Sequence, residues 1–347
     1  MLKTLFPTRT ERYSIGLPGS SGSIKRADAF GPAVLLGGAL RLPDYAKTSG
    51  MDASLLAQLG GSGAGASGER QTLKKVTSVW GPLMGGDNSH AVAGVGRSIK
   101  VGNSSVVEAS GSANVQAGSN TTVSLSGTLS NNVRVGDSSL VLGGGGRDMI
   151  FGGHNAVVRG GDGDDYISVK DGSIVTGDGG NDTIIAGRYS IIDGVEGNNT
   201  ITAGAGSTVT GGKGNDTITV ERASTDKNTY DPAKIVGGQG DDVITIRNTA
   251  ADIEYRRGDG SDIIRGDLGE STLTLVGLRQ NEVGFTLVQT GSGSYDMIVT
   301  INGSDDTITI KNADSVANAN FSISFRGGSE VLLGEKFHEL LAAQPVF

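Results

Sequence analysis

The chain contains no cysteine. Disulfides and thiolate metal sites are therefore both excluded. Histidine is almost as scarce, with only His90, His154 and His338. No His-Glu-x-x-His occurs, which excludes the helical zinc site of a metalloprotease. No Gly-x-Ser-x-Gly occurs either, which excludes the nucleophile elbow of a lipase or esterase. Aromatic residues make up 5% of the chain and hydrophobic residues 36%. So few large apolar side chains cannot fill one broad core, although they can fill a thin one. No apolar run reaches the roughly 18 residues of a transmembrane helix. The formal net charge of -8 argues against nucleic acid or an anionic membrane as a bulk partner. The first ten residues have no apolar stretch of the kind a Sec signal peptide needs.

Glycine is what the chain has in excess, at 58 of 347 residues. Much of it is periodic. Gly211-Gly212-Lys213-Gly214-Asn215-Asp216-Thr217-Ile218-Thr219 repeats a pattern also seen from Gly160, where it leads to Asp165 and Ile167. Further copies start at Gly143 (Asp148), Gly177 (Asp182) and Gly237 (Asp242), and a worn copy at Gly194 carries Asn199 in the aspartate place. The starts at 143, 160, 177, 194 and 211 are 17 residues apart. The start at 237 comes 26 later, so 26 − 17 leaves nine inserted residues. A seventh, degenerate copy ends at Asp262.

Branched apolar residues follow the same rhythm at Ile150, Val158, Ile167, Val175, Ile184, Ile192, Ile201, Val209 and Ile218, with gaps alternating between eight and nine. Two half-coils therefore make a turn of 17 residues. Each is expected to hold a short strand with one inward side chain, flanked by outward neighbours. The expected fold is all-β: a parallel β-roll, or two-sheet β-solenoid. Only the nine-residue half-coils end in Asp. Those containing Gly152-Gly153-His154-Asn155, Lys170-Asp171-Gly172-Ser173 and Ala203-Gly204-Ala205-Gly206 do not. Asp148, Asp165, Asp182, Asn199 and Asp216 should then stack in one column, about 4.8 Å apart. Two carboxylates at that spacing repel by up to ~4 kcal/mol at intermediate dielectric. Such a column needs cations, and hard oxygen ligands on flexible loops suit Ca²⁺.

These copies of Gly-Gly-x-Gly-x-Asp-x-Ile-x resemble the nonapeptide of RTX, or haemolysin-type calcium-binding, proteins. The resemblance covers about a third of the chain. It implies a bacterial protein secreted to the extracellular medium, whose roll folds on binding several Ca²⁺ ions, about five, between stacked loops. The implied side-chain ligands are Asp148, Asp165, Asp182, Asn199, Asp216, Asp242 and Asp262. The implied carbonyl ligands are those of Gly143, Gly145, Gly160, Asp162, Gly177, Gly179, Gly211, Lys213, Gly237 and Gln239. It also implies a type I secretion exporter as a partner.

Residues 1–95 have no assignable function. The stretches 16–23 and 60–68 read as linkers, 51–59 as a short helix, and Trp80, the only tryptophan, as a cap on the first coil. Residues 96–142 keep the rhythm (Ile99, Val107, Val115, Val123, then Val133 and Val141) with Gly-Asn-Ser turns, and read as calcium-free coils. The calcium-binding roll is expected over 143–250, with 221–234 extruded as a loop. Residues 251–326 resemble the C-terminal haemolysin-type module. Alternating patterns at 272–278, 281–287, 296–301 and 306–312 make it a small β-rich cap. Residues 327–347 read as a short amphipathic helix, either docked or serving as the export signal.

The reading is of a non-catalytic, calcium-folded protein acting at the cell surface or outside the cell, in adhesion, a matrix or host interaction. Two alternatives stand beside it. One is an accessory module of a carbohydrate-active enzyme of the epimerase kind. The other is a calcium-dependent binder of surface glycan or ice, suggested by Thr200/Thr202 and Thr217/Thr219 and opposed by Met149/Phe151 and Tyr166/Ser168.

Overall fold

The computed structural model describes residues 73–76, 81–222 and 231–343. The expected linkers, the helix at 51–59 and Trp80 lie outside the described residues. The chain coils into an all-β solenoid of about 11 turns, closed by a short helix. As far as residue 291 successive strands go alternately to two sheets, which hold 14 strands each once the C-terminal strands are added. Neighbours within a sheet are parallel until the C-terminal end, as half-coils that always advance in one direction require.

The register follows the apolar rhythm. Ile150, Ile167, Ile184, Ile201 and Ile218 pair rung to rung in the second sheet. Val141, Val158, Val175, Ile192 and Val209 do so in the first. All nine of the inward residues expected over 150–218 are no more than 1% exposed. The half-coils differ from expectation in one respect. Strands of the second sheet turn two side chains inward: Ile167 with Val169, Ile184 with Ala186, Ile201 with Ala203, and Ile218 with Val220. In the first sheet the corresponding second inward place is a glycine: Gly143, Gly160, Gly177, Gly194, Gly211 or Gly237.

Stacking begins before residue 96, with strands Lys74–Val76, Leu83–Met84 and Ser89–Ala93. Coils here step first by 15 residues, as in Lys74↔Ser89, and then by 16, as in Ser98↔Asn114. One 18-residue step, Asn114↔Asn132, brings the stack to the 17-residue period. The inserted loop leaves the stack unbroken, since Thr217 pairs with Val243 and Val209 with Ile235 across it. The parallel ladder also crosses residue 251 without a break, through Ala251–Arg256 and Thr272–Val276. The hairpin of Val283–Gly291 and Ser294–Ile301 then turns antiparallel and ends the second sheet. Strand Glu330–Leu332 ends the first, also antiparallel.

The tail helix Leu333–Ala342 is docked. Leu333 and Phe337 are buried in the common core. The Phe337 ring meets Tyr295 edge-on at 5.7 Å, and Lys336 lies 5.4 Å from the centre of the Phe285 ring. The helix and the hairpin cover a solenoid end whose strand edges would otherwise invite pairing with another chain. Among the described residues no helix is long and apolar enough to cross a membrane.

Candidate metal centre

The glycine loops join the first sheet to the second along one edge of the roll. Their sixth positions form one column: Asp148, Asp165, Asp182, Asn199, Asp216, Asp242 and Asp262, all at most 5% exposed. The carboxylates are tucked inside the roll, because the first loop position has no side chain. A Cβ added at Gly160 would lie close against Asp165 Oδ2 and 2.9 Å from the carbonyl oxygen of Gly177 in the next coil. At Gly143 it would lie 2.6 Å from Asp148 Oδ2, close against the Gly160 carbonyl oxygen. At Gly211 the neighbours would be Asp216 Oδ2 and the Gly237 carbonyl oxygen, both close to it. Gly143, Gly160, Gly177 and Gly211 thus each leave room for an acid oxygen of their own loop and a carbonyl oxygen of the next, Gly237 leaves room for Asp242 Oδ2, and Gly194 for the Asn199 amide and the Gly211 carbonyl.

The two oxygens of each carboxylate have different fates. Oδ1 accepts the main-chain N–H of the column residue one coil earlier. Asp165 takes it from Asp148 at 2.7 Å, Asp182 from Asp165 at 2.8 Å, and Asn199 from Asp182 at 2.9 Å. Asp216 takes it from Asn199 at 2.7 Å, Asp242 from Asp216 at 2.8 Å, and Asp262 from Asp242 at 3.0 Å. Oδ2 of Asp148, Asp165, Asp182, Asp216 and Asp242 is buried with no hydrogen-bond partner. An ionised oxygen in that condition is costly unless a proton or a cation compensates it.

Burial drives these carboxyls upward, with neighbouring acids adding to it at several rungs. Asp148, Asp182 and Asp216 rise to about 6 and Asp242 to about 7. Asp165 rises to about 8 through burial and the charges of Asp182 and Asp148. Asp262 also rises to about 8, through burial and Asp242. Asp262 is the last rung, for its register neighbour in the next coil is Ile308.

The third-position residues lie in adjacent coils at matching register: Gly145 beside Asp162, Asp162 beside Gly179, and Lys213 beside Gln239. The Gly179 carbonyl accepts from Gly163 N–H at 2.6 Å and that of Gln239 from Gly214 N–H at 2.7 Å. Those carbonyls already tie coil to coil, with one lone pair left over. Among the described residues no three His, Asp or Glu side chains are placed to share one ion. An ion on this column would therefore complete its shell with carbonyl oxygens. The donor set of orphaned carboxylate oxygen plus converging carbonyl oxygen is all hard oxygen, as Ca²⁺ requires.

Three features were not read from the sequence. Asn131 extends the column one coil N-terminally. Its Oδ1 accepts Ala113 N–H at 2.9 Å, and its Nδ2 donates to Asp148 Oδ1 at 2.9 Å. Its 17-residue spacing from Asp148 was the available signal. The opposite edge carries a buried serine ladder, in which Ser190 Oγ accepts Ser173 N–H and Ser207 Oγ accepts Ser190 N–H. Asp178 stands at a second loop position, at φ +75, where most loops have glycine. Its Oδ2 accepts from Arg159 Nε, and its buried Oδ1 has no partner. No family model matches this chain, and no curated protein matches it.

Proposed function

We propose that this chain is a secreted, calcium-folded repeat protein of the RTX kind, non-catalytic and acting outside the cell. The observation that carries the reading is the row of five buried carboxylate oxygens without partners, each beside a glycine that leaves space for it. Asp148, Asp165, Asp182, Asp216, Asp242 and Asp262 would supply the acid oxygens, with Gly160, Gly177, Gly211 and Gly237 supplying carbonyls. Bound Ca²⁺ would supply positive charge to compensate the column. Oδ1 of each rung holds the coil before it, so the carboxylate that faces the ion also fixes the stacking. Folding of the loops and assembly of the site are then one event.

The test is far-UV circular dichroism of the full chain in chelator and in millimolar calcium, with the ion count taken on the same sample. Strand signal gained with calcium, together with several ions per chain, is the expected result. An unchanged spectrum and no retained calcium would falsify the reading. The type I exporter belongs to the same proposal. Its test is loss of the protein from the culture medium when the producing strain lacks that exporter.

One observation favours a surface-binding role beside this one. On the outer face of the second sheet, Thr183, Thr200 and Thr217 stand in one column and Thr202 and Thr219 in another. Glycan arrays and thermal hysteresis measurements separate a glycan binder from an ice binder. Silence in both removes this second role.

A further inference from the structure

Resting on the calcium reading, we infer that Asn131 and Asn199 are neutral rungs, which end the ion column on its N-terminal side and divide it into two separate banks. Both asparagines keep the bond that stacks the coils. Asn131 Oδ1 accepts Ala113 N–H at 2.9 Å and Asn199 Oδ1 accepts Asp182 N–H at 2.9 Å, as the aspartates do for their neighbours. They differ in the second side-chain atom. Where Asp148, Asp165, Asp182, Asp216 and Asp242 leave an orphaned Oδ2, each asparagine has an amide that finds its own acceptor. Asn131 Nδ2 donates to the Leu129 carbonyl at 3.0 Å, and Asn199 Nδ2 donates to the Gly197 carbonyl at 3.2 Å. In both cases the acceptor lies two residues earlier in the same loop. The asparagine rung is thus internally satisfied and brings no negative charge, so it needs no cation.

Counting the gaps gives the arrangement. Gaps flanked by aspartate on both sides are 148/165 and 165/182 in one bank, and 216/242 and 242/262 in the other. That makes four ions, two in each bank. The gaps 131/148, 182/199 and 199/216 each have an asparagine on one side and take none. The consequence is physical. Asn131 lets coils that hold no acid column abut the first bank without an unpaired charge at the joint. Asn199 limits each run of adjacent carboxylates to three.

The experiment compares wild type, Asn199→Asp and Asn131→Asp as full chains. Calcium per chain is measured by equilibrium dialysis with elemental analysis. Folding in chelator is followed by circular dichroism against an osmolyte. Asn199→Asp creates two new gaps with acid on both sides, so it should hold up to six ions against four. Asn131→Asp should hold one more than wild type. Both variants should need more osmolyte than wild type to fold in chelator. Hydrogen exchange in wild type should show calcium protection in two blocks, 143–182 and 216–262, with distinct midpoints. An unchanged ion count in the variants, or an Asn199→Asp chain that calcium does not fold, overturns the inference. So does a single midpoint across both wild-type blocks. Absence of calcium from wild type is a different failure, because it removes the ion column and with it the proposed function.

Discussion

Replacing Asp165 with Asn should change stability in opposite directions with and without calcium. Asp165 Oδ1 holds Asp148 N–H at 2.7 Å, and an asparagine keeps that acceptor. The buried, unpartnered Oδ2 becomes an amide nitrogen. Asn199 shows where such an amide goes, namely to the carbonyl two residues earlier in its own loop. Removing a buried unsatisfied group is worth about 1–3 kcal/mol, so the calcium-free chain should gain that much. With calcium the sign reverses, because Asp165 flanks two gaps. A site held at 100 times its dissociation constant stabilises the fold by about 2.7 kcal/mol, so two such sites contribute about 5. Subtracting the calcium-free gain leaves the loaded variant about 2–4 kcal/mol less stable than wild type. The assay is far-UV circular dichroism along an axis from urea to trimethylamine oxide, once in chelator and once in millimolar calcium. The osmolyte arm reaches a transition even if the chelated chain is unfolded in plain buffer. A variant that is destabilised in both conditions, or stabilised in both, would refute the view that the orphaned oxygen is there for a cation.

Four other outcomes are expected. Gly161→Ala places a Cβ hard against the Gly144 carbonyl oxygen of the previous coil, at φ +111, and should cost more than about 3 kcal/mol in denaturant unfolding. Ser190→Ala strands the buried Ser173 N–H at the far edge, and should cost about 1–3 kcal/mol equally in chelator and in calcium. The column carboxyls stand at about 6 to 8 when folded, above the ~3.9 of an unfolded aspartate. Their contribution is therefore fully present below about pH 4 and is lost as pH rises through 6 to 8. The chelated chain should show more strand signal at pH 5 than at pH 8, and the reverse order would contradict the burial of these groups. Phe337→Ala empties the site under the tail helix and should cost about 3–5 kcal/mol. Early proteolytic loss of the residues after 332 would report it.

The fold is legible in the sequence to different degrees along the chain. Inward places on both sheets were legible because Ile and Val recur at steps of eight and nine and strand side chains alternate. The second inward place was not, since Val169, Ala186, Ala203 and Val220 share no side-chain size. The first coils were hidden because Leu83 and Ala91 lack the branched pattern that starts at Ile99. Four β-patterns after residue 270 became strands close to their expected bounds, yet their pairing partners could not be read. Strand 307–310 joins 262–266 across more than forty residues.

The sequence by itself determined that acids would stand one per turn in a single column, because a fixed period of 17 stacks identical positions and glycine frees the turns to repeat. Only the tertiary structure decided what each acid does there. Whether a carboxylate oxygen is spent on a neighbour's N–H or left bare depends on contacts between coils, and a linear string of residues does not contain those. The same holds for the two asparagines. In the sequence they are worn copies of an aspartate. In the fold they are the rungs whose second atom finds an acceptor within its own loop.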